Sequence, residues 1–165
     1  MPDCTIGVGI CEDAWAAIPS SANQALNGAT ILVNLSASNE VLGKYEYRRM
    51  LVQSHSAQYL AAYCYAAAGA GESTTDLVFS GHSLIAENGT LLAETERFRF
   101  DTQIAVADVD VQRLTAERLK NNTFGSSRAS APARFINFEF EDFSRPEAEE
   151  MNKLYRPLSP TPFVP

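Results

Sequence analysis

Thr5-Ile6-Gly7-Val8-Gly9-Ile10-Cys11-Glu12-Asp13 begins as a short buried strand and ends in a polar turn. Residues 5–10 are apolar, β-branched at alternate positions, and carry glycine where neighbouring chains approach closely. Cys11 stands at the strand's exit, the position where open α/β sheets build their sites. A cysteine there can expose its sulfur at the sheet edge while the next backbone N–H points into the same space. That is the geometry of a nucleophile with an oxyanion donor beside it. The competing reading is a plain buried cysteine, because a free thiol usually packs as a small hydrophobe. Glu12 and Asp13 disfavour a thiolate, so a reactive Cys11 needs a nearby cation or base.

Outward from this strand, Pro19-Ser20-Ser21 offers capping for a short helix through Leu26, closed by Asn27-Gly28. Ala29 to Leu35 is mostly apolar, the pattern of a strand covered on both faces. A long helix is predicted from Lys44 to Leu60, with Tyr47, Met50, Leu51, Ser54, Ala57 and Ala61 on its inward stripe. Residues 62–68 read as a strand running into Gly69-Ala70-Gly71. Segments 77–86 and 91–97 form a hairpin around Asn88-Gly89, the strongest two-residue turn signal. Gln103 to Val109 alternates like a last strand, and Val111 to Lys120 is a charged amphipathic helix. The remainder, with its acidic-aromatic stretch at 138–150 and proline-rich end at 156–165, reads as an extended arm or linker. Alternating strands and helices followed by a hairpin give a mixed α/β sheet.

The 165 residues fit one domain, and a net charge of −7 argues against nucleic acid or an anionic membrane as partner. No apolar run approaches the about 20 residues needed to span a bilayer. No basic region followed by an apolar stretch marks a secretory signal. The odd set Cys4, Cys11 and Cys64 lacks zinc-like or redox spacing and suits a reducing, cytoplasmic setting.

Other chemistry is thinly signalled. His55 lies on the long helix and His82 in the hairpin arm, neither in a Ser/His/Asp or Cys/His/Asn context, so both read as structural. Gly69-Ala70-Gly71 has no third glycine and no following lysine, which makes it a turn rather than a phosphate cradle. No cluster of His, Cys and carboxylates has metal-ligand spacing. Arg48-Arg49 reads as a solvated pair or an internal salt bridge. Tyr45, Tyr47 and Tyr59 read as core or groove lining.

Several strings together resemble the glutaminase domain of glutamine-dependent NAD synthetases. They are Gly9-Ile10-Cys11-Glu12-Asp13 with Trp15, Gly28-Ala29-Thr30 into Asn34-Leu35-Ser36-Ala37-Ser38, Gly43-Lys44 with Tyr47-Arg48-Arg49, and residues 61–76, AAYCYAAAGAGESTTD. Gly81-His82, Glu87-Asn88-Gly89, Ala107-Asp108-Val109-Asp110 and Glu117-Arg118-Leu119 continue the likeness. The resemblance covers residues 4–127, and the proline-rich end is similar to the connector that leads to the synthetase domain. It implies a nitrilase-superfamily fold, a four-layer α-β-β-α sandwich. Residues 1–127 would form the C-terminal half of that domain and 128–165 an extended arm. It further implies Cys11 as nucleophile on the glutamine amide, with the backbone N–H of Glu12 as an oxyanion donor. Ser38 and Lys44 match positions that hold the α-amino and α-carboxylate groups. At 44 the family often carries arginine, and lysine keeps the charge but loses the bidentate grip on a carboxylate.

The family's triad is Glu-Lys-Cys, with the glutamate base and the lysine both upstream of the cysteine. None of the residues before Cys11 is lysine or glutamate. The expectation is a chain inert by itself, with exposed sheet edges and with partners in the upstream half, the synthetase domain and further copies of the protein. No cofactor is expected on this chain, since ATP and magnesium would serve the synthetase domain, which makes NAD from nicotinic acid adenine dinucleotide. Two alternatives stand beside this reading: part of another nitrilase-superfamily amidase, and a non-catalytic assembly module.

Overall fold

In the computed structural model, which describes residues 4–138, 153–158 and 160, the apolar runs form one five-stranded sheet in chain order. Strands β1 (Ile6–Ile10), β2 (Ile31–Ser36) and β3 (Ala62–Ala67) run parallel, joined by crossovers through α1 (Ser20–Leu26) and α2 (Lys44–Gln58). Strands β4 (Leu84–Glu87) and β5 (Thr90–Glu94) close the sheet as an antiparallel hairpin. Its turn is Asn88-Gly89, both at positive φ (45° and 88°), the backbone that Asn-Gly adopts at little cost. Two helices follow, α3 (Val111–Lys120) and the short α4 (Asn122–Ser126).

The two faces of the sheet differ. Leu32, Tyr63, Tyr65, Leu84 and Ala86 point to one side and pack with Ala25 and Val52 of the helices into a single core. The register puts Val8 opposite Val33, Val33 opposite Cys64, and Cys64 opposite Ile85 on the other side. There Val8 is 56% exposed, Ile10 66% and Leu35 54%, and no described helix or strand covers them. The architecture is one helical layer on one sheet, two of the four layers expected. The both-sides covering anticipated for β2 is met on the helical side only.

The long helix lies where expected, but its inward stripe does not. Arg48, Val52, His55 and Ser56 are buried, whereas Tyr47, Met50, Ser54 and Ala57 face outward, Met50 with 62% of its surface exposed. Specific bonding overrides hydropathy here. Arg48 is only 1% exposed and donates to Glu40 and to His82, while Ser56 Oγ donates to the Gln53 carbonyl and accepts from Gly89 N.

Three further expectations change. The first hairpin arm is strand only over 84–87. The predicted strand at 103–109 is not one: burial alternates along it, but no neighbouring strand among the described residues supplies a ladder. Helix α1 starts at Ser20 without the expected cap, since its N-cap residue, Pro19, makes no side-chain capping hydrogen bond. Its end is as predicted, with Gly28 at φ 107° and Ala29 N donating to the Gln24 carbonyl.

The described parts of the arm are extended but anchored. The side-chain amides of Asn23 and Asn27 donate to the Ala131 carbonyl at 3.1 and 3.0 Å. Asp108 N donates to the Tyr155 carbonyl at 2.9 Å, and Arg156 binds the buried Glu87 carboxylate at 2.9 Å. Residues 139–152, which hold all but the first residue of the acidic-aromatic stretch, and residues 159 and 161–165 of the proline-rich end lie outside the described residues.

Candidate functional site

All three parallel strands end at one edge: Ile10, Leu35 and Ala66 are in register, and Cys11, Ala37 and Ala68 are the first residues beyond the three strand ends. At Cys11 the chain turns sharply from β1 into a single 3-10 turn, Cys11–Ala14, and Cys11 takes φ 48°. A side chain in the left-handed region costs about 1–3 kcal/mol and persists only where the surroundings over-determine it. They do so here. Ile10 N donates to Asp13 Oδ2 at 2.8 Å, Trp15 N and Ala16 N close onto the Glu12 carbonyl, and Asn34 Nδ2 reaches the Cys11 carbonyl at 3.4 Å. A strained turn between a strand and a helix is how a nucleophile is lifted clear of a sheet.

Cys11 is half-buried and lines an open depression of about 450 Å³ with Ile10, Leu35, Ser36, Ala37 and residues 66–68. Ile10 and Leu35 belong to the bare face, so the depression opens toward the uncovered side of the sheet. Glu12 points to solvent. Its backbone N–H lies at the start of the 3-10 turn, where amides have no acceptor within the helix.

Ser38 sits half-buried in the loop after β2, and Lys44 opens α2 behind Gly43, a left-handed turn residue at φ 80°. The Lys44 ammonium donates to the Asn39 carbonyl at 2.8 Å and lies 5.3 Å above the Trp15 ring. Burial and the Arg48 charge hold it below its ordinary 10.5, while Glu40 and Cys11 pull it back up. Cys11, Ser38 and Lys44 thus share the carboxyl edge of the sheet.

Both histidines are engaged away from Cys11. His55 packs between Tyr59 and Tyr63. His82 Nδ1 lies 3.0 Å from Arg48, which can only donate, so Nε2 carries the proton and donates to Glu94 Oε2 at 3.1 Å. Burial lowers both histidines, keeping them neutral near pH 7; for His82 the Arg48 charge adds to this against Glu94. Cys4, Cys11 and Cys64 are all free thiols. Among the described residues no group of three or more His, Cys, Asp or Glu side chains could hold a metal ion.

A model of the carbon-nitrogen hydrolase family, described as "Carbon-nitrogen hydrolase", matches residues 1–118. The chain belongs to that family. Over 166 residues it is 47% identical to the glutamine-dependent NAD(+) synthetase of Mycobacterium tuberculosis strain H37Rv, covering 100% of this chain and 24% of that protein. The crystal structure of a glutamine-dependent NAD(+) synthetase from Cytophaga hutchinsonii is 31% identical, with a TM-score of 0.52 over 61% of this chain and 16% of the other. A carbon-nitrogen hydrolase from Helicobacter pylori G27 shares the fold, with a TM-score of 0.61 at 20% identity over 74% and 46% of the two chains. The chain spans about a quarter of the length of the curated relatives it matches.

In this member of the family the residues singled out from sequence gather at one edge, while a polar group that sequence reasoning missed lies directly behind them. Glu40 binds Arg48 at 2.8 Å and Ser80, Arg48 continues to His82, and His82 to Glu94, which also meets Arg49 at 3.2 Å. Of the two readings of Arg48-Arg49, the internal salt bridge holds. The available signal was a lone glutamate eight residues before an arginine on a predicted helix, which is too common to stand out.

Proposed function

We propose that this chain carries the nucleophile of a glutamine-hydrolysing site that supplies ammonia for NAD synthesis. The observation that carries the reading is the strained Cys11 turn, with Cys11 lining an open depression at the carboxyl edge of the sheet. The Cys11 sulfur attacks the amide carbon of glutamine, and its proton passes to a base. The Glu12 N–H stabilises the oxyanion. The base returns the proton to the departing nitrogen, ammonia leaves, and a glutamyl thioester remains on Cys11. Water activated by the same base releases glutamate. Ser38 and Lys44 hold the α-amino and α-carboxylate groups.

A glutamate base and a lysine that stabilises thiolate and oxyanion complete the triad, and both come from outside these residues. The bare face and the depression that opens onto it support that assignment, because the second sheet of a sandwich would deliver side chains there. In this reading the chain acts together with the residues upstream of it, with a synthetase domain that uses ATP and magnesium, and with further copies in an oligomer.

The test is ammonia release from glutamine by the complete polypeptide carrying this sequence. Cys11→Ala should abolish it, and Ser38→Ala and Lys44→Ala should raise KM for glutamine. Loss with Cys11→Ala but unchanged KM in the other two would indicate an amidase without preference for glutamine. Release that survives Cys11→Ala would refute the reading.

A further inference from the structure

The loop from Ala37 to Gly43 carries Ser38 and leads into Lys44, yet it has no regular secondary structure of its own. It is held from behind at one residue. Glu40 N donates to the Val78 carbonyl at 2.6 Å, and Glu40 Oε2 accepts from Arg48 at 2.8 Å and from the Ser80 hydroxyl. The Glu40 side chain is 8% exposed and the Arg48 side chain 1%, so water competes little for either. Burial raises the Glu40 carboxyl, but the Ser80 and Arg48 hydrogen bonds and the Arg48 and Arg97 charges outweigh it and hold the group below its ordinary value. Asn39 is gripped from the other side by the Lys44 ammonium. Ser38-Asn39-Glu40 is thus suspended between α2 and the segment preceding β4.

We propose that Glu40 is a positioning residue for glutamine recognition: clamped by Arg48, Ser80 and Val78, it fixes where Ser38 stands relative to Lys44. The inference rests on the glutaminase reading above. Glu40 need not touch substrate. It sets the spacing between the two groups that bind the α-amino and α-carboxylate ends, and it leaves the Cys11 turn alone, because none of its bonds reaches β1 or the 3-10 turn. Loosening the clamp should therefore weaken substrate binding and spare the chemical step.

The experiment uses the complete polypeptide, with glutamine kinetics and iodoacetamide labelling of Cys11 measured on the same preparations. Losing a charge-assisted hydrogen bond that orders the loop should let Glu40→Gln raise KM for glutamine roughly tenfold while kcat and the labelling rate change less than about twofold. Ser80→Ala should raise KM by a smaller factor. If Glu40→Gln fails to fold, the apolar pair Glu40→Met/Arg48→Met decides, since replacing both partners of a buried pair removes the clamp without stranding a charge. An unchanged KM in a folded variant would overturn the inference, as would equal losses of kcat and thiol reactivity. A wild-type polypeptide that releases no ammonia from glutamine would overturn the glutaminase reading itself, a result separable from either of these.

Discussion

Asn34, buried in β2, donates its side-chain amide to the carbonyl of Cys11 at 3.4 Å. The bond crosses from β2 to the turn that carries the thiol, and it helps hold a backbone angle that a cysteine would not choose unaided. The sheet itself thus maintains the strained turn.

Glycine adopts φ 48° without penalty, alanine pays for its Cβ, and a β-branched side chain pays more. Thermal or denaturant unfolding of position-11 variants should rank Cys11→Gly above Cys11→Ala by about 1 kcal/mol and place Cys11→Val lowest. Equal stabilities would show that the turn is not strained.

Burial lowers His55 and His82 below their ordinary 6.5, so the unfolded chain takes up protons more readily than the folded one as the pH falls below that value. Their stabilising contribution is complete above 6.5 and is lost as the pH drops toward their folded values. Glu40, also lowered, adds a further loss at more acid pH, below its ordinary 4.5. Melting temperature should be flat from pH 8 to 7 and decline below about 6.5. Replacing both histidines with glutamine should flatten the upper part of that decline.

Arg118 on α3 donates to the carbonyls of Leu60, Ala29 and Tyr59 at 3.0, 2.6 and 2.9 Å, just beyond the C-termini of α1 and α2. Burial pulls its guanidinium down to about 10, still charged at neutral pH. Arg118→Met keeps much of the volume and strands those carbonyls, which should cost about 3 kcal/mol in chemical denaturation. A loss within about 0.5 kcal/mol, the range of ordinary surface substitutions, would contradict the staple.

Val8 and Val33 face each other across the uncovered side of the sheet. An apolar face of this kind drives self-association when nothing covers it. Val8→Lys should make the isolated chain more soluble by light scattering or gel filtration, and should abolish its productive pairing with the upstream residues. Unaltered pairing in that variant would mean the second sheet docks elsewhere.

The elbow was legible because strand, cysteine and acidic turn are consecutive, and the Asn88-Gly89 hairpin because its turn chemistry is local. The inward stripe of α2 was not legible, since Arg48 and His55 are buried through partners rather than through their own hydropathy. Glu40 lies in a loop, and Ser80 is far from it along the chain. The arm's anchor is hidden for the same reason: Arg156 meets Glu87 across 69 residues, and no local pattern announces such a pair. The run at 103–109 has strand-like alternation but no neighbouring strand among the described residues, and alternation alone cannot supply a ladder.

Ammonia release from glutamine should be compared for the isolated 165-residue chain, for the chain mixed with the separately produced upstream residues, and for the same mixture carrying Cys11→Ala. The isolated chain should release none, the mixture should, and the cysteine variant should not. Full activity in the isolated chain would contradict the claim that Cys11 borrows its base and its cation from outside.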